Sequence, residues 1–97
     1  MSSDPPIGPS LQVGQLVYSK AGRDRGRPFL VWDILSERRI TLVDGRLRRV
    51  GKPKIKNTLH VQPVGRVAQD IAAKRQQGQP VSDAEVRRAI ARLLGEE

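Results

Sequence analysis

Lys20, Arg23, Arg25 and Arg27 crowd residues 20–27, interleaved with Gly22 and Gly26. Arg46, Arg48 and Arg49 follow an Asp-Gly pair, and Lys52, Lys54 and Lys56 then alternate with Pro53 and Ile55. These residue types have one obvious chemistry. A guanidinium presents a planar fork that matches phosphate oxygens, and an ammonium offers a mobile point charge. Glycines beside such groups let backbone N–H groups approach a phosphate closely. If 52–56 is extended, a period of two points its three lysines the same way. Such a row could track a phosphate backbone; the alternative is a solvated loop.

Charge distribution sharpens this reading. The chain has 97 residues and a formal net charge of +8. All of that excess lies in residues 20–56, where Arg38 and Arg39 complete the basic set, while the remaining residues balance. A segregated positive field attracts a polyanion at long range, and binding gains free energy as condensed counterions are released. Aromatic residues are only 3% of the chain, too few for stacking on unpaired bases to dominate. Trp32 and Phe29 sit in the most apolar segment and read as core. Tyr18 precedes the basic loop and suits either the core or a stacked base. Recognition of a structured nucleic acid by shape and backbone fits this composition better than reading of single strands.

Catalysis finds no support. His60 is the single histidine and has no acid cluster beside it in sequence. Ser19 and Ser82 lack the partners of a nucleophile, and no phosphate-loop signature is present. Asp33 is expected to pair with a strand arginine, and Asp44 to serve turn chemistry. The chain contains no cysteine, which removes disulfides and thiolate metal sites. No cofactor, metal or small-molecule substrate is expected. No apolar run suffices to span a membrane, and the N-terminus lacks signal-peptide character. A cytoplasmic monomer is the expectation.

The elements that must position the basic residues are mostly strands. Gln15–Ser19, Arg27–Leu35 and Arg39–Val43 alternate or are apolar on both faces. Asp44-Gly45 predicts a tight hairpin into a strand over Arg46–Val50. A short strand at Leu59–Gln62 ends at Pro63. Pro28 lacks a backbone donor and marks an edge or bulge. From Val64 the period changes: Val64, Val67, Ala68, Ile71 and Ala72 form a helical stripe, which Gly78 and Pro80 end. Ser82 and Glu85 form a capping box, with Val81 and Val86 at the staple positions. Val86, Ala89, Ile90, Leu93 and Leu94 make that helix's apolar face. Arg87, Arg88 and Arg92 read as its outer surface, where Asp83 can pair with Arg87 and Glu85 with Arg88.

The stretch from Gly14 to Ile34, with Gly26 after the basic loop, resembles a KOW motif. Together with Val43-Asp44-Gly45 it is similar to large-subunit ribosomal proteins of the fourteen-e type over residues 12–63. With two short C-terminal helices, nearly the whole chain resembles short bacterial KOW-domain relatives of that family. The resemblance implies a mainly β fold, an SH3-like small β-barrel of the KOW type with two short C-terminal α-helices. It divides the chain into a disordered tail (1–10), a barrel (11–63) and a two-helix extension packed on it (64–97). It also implies binding to ribosomal or other structured RNA, with ribosomal RNA or the large ribosomal subunit the expected partner. The RNA-binding residues would be Lys20, Gly22, Arg23, Arg25, Gly26, Arg27, Arg46, Arg48, Arg49, Lys52, Lys54 and Lys56, with Tyr18 available for stacking. A protein-interaction module of the transcription or translation machinery is the competing reading. Such modules usually expose an aromatic groove, for which this chain has few residues.

Overall fold

A computed structural model describes residues 11–96; the tail expected at 1–10 lies outside them. Five antiparallel strands form one sheet: β1 (Gln15–Ser19), β2 (Pro28–Ile34), β3 (Arg39–Val43), β4 (Lys54–Asn57) and β5 (Val61–Val67). Helices α1 (Gln69–Gln76) and α2 (Asp83–Leu94) follow. The sheet order is β4-β3-β2-β1-β5, so the last strand returns to pair with the first.

The strands bury both faces, because apolar side chains occupy both alternation phases. Val17, Phe29, Val31, Ile40, Leu42 and Val61 form one cluster, made of strand residues with Leu11 packed against it. Leu16, Leu30, Trp32 and Val43 point the other way and join Ala68, Ile71, Val86, Ala89 and Ile90 from the helical segment. The helices therefore cover one face only. The register shifts between Val31 and Asp33, and Trp32 keeps the alternation of Leu30 into the helix-facing cluster. There the Arg75 guanidinium lies 4.0 Å from the Trp32 ring centroid and its Nη2 pairs with Asp33 Oδ1. The partner expected for Asp33 on a strand is thus on α1 instead.

The capping box forms: Ser82 Oγ accepts from Glu85 N, and Glu85 Oε2 accepts from Ser82 N. The Lys74 ammonium hydrogen-bonds the Glu85 carboxylate, and with the Ser82 N–H it holds that carboxyl below its ordinary pKa. Gly95, with φ 76°, closes α2 in the left-handed conformation that favours glycine.

Three expectations are corrected. Val64 and Val67 belong to β5, which runs on through Pro63, and the first helix begins only at Gln69. Pro63 and Gly65 are tolerable there because β5 is an edge strand; Val64 still packs against the helix-facing core. Residues 58–60 form a 3₁₀ turn, so the last strand starts at Val61. Arg46–Val50 is not a strand. Asp44 Oδ1 accepts from both Arg46 N and Arg48 N at 2.9 and 2.8 Å, which folds the segment into an irregular loop. Val50 N donates to Asp83 Oδ1 at the start of α2, and Lys54–Asn57 takes the place beside β3.

That loop is fitted to α2 at Gly45. Gly45 has φ +77°, and a Cβ there would lie 2.4 Å from the Asp83 carbonyl oxygen. Gly26, at φ +83°, has open space around it. Gly26→Ala should therefore cost only the left-handed backbone penalty, about 1–2 kcal/mol. Gly45→Ala adds a backbone clash and should cost roughly 3 kcal/mol or more. Urea unfolding of the two variants measures the difference; equal costs would mean that α2 does not rest on this loop.

Candidate nucleic-acid interface

In an antiparallel meander, the β1–β2 and β3–β4 connections emerge at the same end of the sheet. Those connections are residues 20–27 and 44–53, the two basic segments. Arg38 and Arg39 sit at the β2–β3 turn, separated from them by the length of β2, about 20 Å at a strand's rise per residue.

One contact ties the basic loops to one another, and a second ties the first loop to β4. Asp24 is almost buried, at 9% exposure. Its Oδ2 accepts from Arg48 Nε at 3.0 Å and Arg48 Nη2 at 2.9 Å. Lys56 Nζ, on β4, donates to the Ala21 carbonyl at 2.9 Å. Within the first loop, Gly26 N donates to Ser19 O, Lys20 N to His60 O, and Ser19 Oγ to Ala21 O. Gly22 and Gly26 both adopt positive φ there. The Ser19 hydroxyl is thus a loop fastener, and Asp44 serves its turn as expected.

The residues singled out from sequence separate into two groups. Arg48 and Lys56 are partly buried and hold the loops. Lys20, Arg23, Arg25, Arg27, Arg46, Arg49, Lys52 and Lys54 are exposed and have no ion-pair partner among the described residues. Their carriers differ. Lys54 and Lys56 share a face of β4, opposite Leu42 and Ile40, whereas Lys52 precedes the strand in a turn. The row of three expected from alternation is therefore two lysines plus a neighbour. Lys52 and Lys54 line a groove of about 420 Å³ with Arg48 and Arg49. Tyr18 is half-buried in β1, while Trp32 and Phe29 are 7% and 1% exposed and belong to the two core clusters.

Elsewhere the cations are mostly engaged. Lys74 pairs with Glu85, Arg75 with Asp33, and Arg92 with Asp70. Arg66 donates to the Leu93 carbonyl and Arg87 to the Gly45 carbonyl. These partners lie on other elements, which corrects the within-helix pairs expected of Asp83 with Arg87 and of Glu85 with Arg88. Free positive charge is thus concentrated at one end of the sheet. Sequence reasoning missed two residues of this end: Asp24, masked by the arginines around it, and Arg87. Arg87 follows the buried Val86 by one position, so its helical register was the only signal.

Among the described residues no group of acidic or histidine side chains could hold a metal ion. No described helix is long and apolar enough to cross a membrane. No protein-family model matches the chain. The chain is similar to the large ribosomal subunit protein eL14 of Staphylothermus marinus, with 30% identity over 83 residues, covering 86% of this chain and 79% of that protein.

Asp24→Asn offers a test of the loop contact. It removes a negative charge from the basic end, which by charge counting alone should strengthen binding of a polyanion. Losing the Arg48 pair should instead cost about 1–2 kcal/mol of stability, discounted for the partial exposure of Arg48, and weaken polyanion affinity several-fold. Urea unfolding and filter binding to ribosomal RNA read the two effects; a rise in affinity would show that holding the loops together is immaterial.

Proposed function

This chain belongs to the family of the large ribosomal subunit protein eL14, and we propose that it binds structured RNA as a ribosome-associated protein rather than catalysing a reaction. The observation that carries this reading is the end of the sheet where eight exposed cations without ion-pair partners among the described residues gather, seven on two loops tied by Asp24 and Arg48 and Lys54 at the start of β4. The relative's ribosomal name makes ribosomal RNA on the large subunit the partner we favour. A cytoplasmic, monomeric protein is part of the same reading.

We read the five-stranded sheet as an SH3-like barrel of the KOW type. Among the described residues, the six buried apolar side chains on the helix-free face are covered from outside the strands by Leu11 alone. A sheet that curls around such a face shields it, and the contact from Lys56 on edge strand β4 to Ala21 after β1 supports that curl. We assign phosphate contacts to Lys20, Arg23, Arg25, Arg27, Arg46, Arg49, Lys52 and Lys54, with backbone approach at Gly22 and Gly26. Arg48 and Lys56 act by positioning the loops and add their charge to the field. Tyr18, the least buried aromatic, is the one aromatic side chain suited to stack on a base.

Co-sedimentation with ribosomal particles across a salt series tests this reading. Retention on the large subunit should fall steeply with salt, since log affinity falls by about 0.9 per phosphate contact per decade of salt. Arg23→Glu combined with Arg25→Glu should abolish retention while leaving the unfolding midpoint unchanged. Salt-insensitive retention, or normal retention of the double variant, would favour an apolar protein interface instead.

A further inference from the structure

A cleft of about 240 Å³ opens between the two basic loops and α2. Pro28, Ile90, Ala91 and Leu94 supply an apolar floor, and Arg27, Arg46 and Arg87 converge on it. Arg87 is steadied by its bond to the Gly45 carbonyl at 2.7 Å. Asp44 and Glu96 also line the cleft. The Asp44 Oδ1 atom is already occupied by two backbone donors, while Glu96 is exposed at the end of α2. Three cations against two carboxylates leave this lining close to neutral, unlike the exposed arginines and lysines around it. The cleft is therefore poorly suited to phosphate alone. It is also smaller than the roughly 300–1,000 Å³ of sites for drug-sized ligands.

Resting on the RNA reading above, we infer that this cleft holds one unstacked nucleotide of the bound RNA, making α2 part of the interface. A nucleobase matches its mixed character: an apolar face for the floor, guanidinium planes to stack on, and an edge carrying both donors and acceptors. Glu96 can accept from an exocyclic amine, as carboxylates do from base amino groups. Arg27 and Arg46 reach the flanking phosphates from the cleft's rim. The two loops thus grip the backbone while α2 accommodates the displaced base. Structured RNA with a bulged or extruded nucleotide is favoured over a continuous duplex.

The test uses two fluorescein-labelled RNA hairpins that differ by a single bulged adenosine, titrated with the full chain at fixed low salt by fluorescence anisotropy. The bulged hairpin should bind about tenfold more tightly, within the range that stacking of one base contributes. Ala91→Leu, which fills the cleft floor, should erase this preference and keep the affinity for the paired hairpin. Glu96→Ala, an exposed change that leaves the core untouched, should lower the preference ratio even though it removes a negative charge. Equal, salt-dependent binding of both hairpins by the unaltered chain would overturn the cleft assignment and leave the RNA reading standing. A bulge preference undiminished in both variants would overturn it too. If neither hairpin binds, the RNA reading fails and the nucleotide site fails with it.

Discussion

The ion pair between Asp24 and Arg48 is the contact on which the basic end of this protein depends. Two flexible, like-charged loops would otherwise repel one another, and each would lose conformational entropy separately on meeting a polyanion. A nearly buried carboxylate placed among arginines reverses that situation. It consumes one cation, and in exchange it sets the spacing of the others before a ligand arrives. Lys56 performs a similar task through the Ala21 carbonyl. Preorganised charge binds more tightly than the same charge on mobile loops, because less ordering remains to be done on association.

The rest of the structure serves this arrangement. The antiparallel order brings the β1–β2 and β3–β4 connections to one end, and α2 supports the second of them through Asp83 to Val50 and Arg87 to Gly45. The helices also account for the uneven charge. Their basic residues are mostly bound to carboxylates or carbonyls on neighbouring elements, so the field is focused by neutralising the remainder as much as by clustering arginines. The Arg75 guanidinium, stacked on Trp32 and paired with Asp33, shows the difference in use between a structural arginine and those of the loops.

Much of this was legible in the sequence, for identifiable reasons. β1 and β3 match their expected limits because alternation and flanking glycines mark them locally. The capping box at Ser82 and Glu85 and the apolar face of α2 were readable because a helix start is a local event. The failures are non-local. Asp44-Gly45 carries a hairpin signal, but its carboxylate captures two backbone donors and α2 captures a third from a distance, so the paired strand arises after Pro53 instead. Val64, Val67 and Ala68 fit a helical stripe, yet β5 pairs with β1 on either side of Val64, at Pro63 and Val67, which no local period reveals. For the site, the basic residues were evident from composition, whereas their division into loop-holding and exposed groups depends on Asp24, whose burial only the folded chain defines.

The central claim is that both basic loops form one RNA-facing surface. Ultraviolet cross-linking of the chain on large-subunit particles, followed by mapping of the nucleotide-bearing peptides, tests it most directly. The account predicts cross-links in peptides from both 20–27 and 44–54 in the same preparation. Cross-links confined to the β2–β3 turn at Arg38 and Arg39, or to α1, would contradict it.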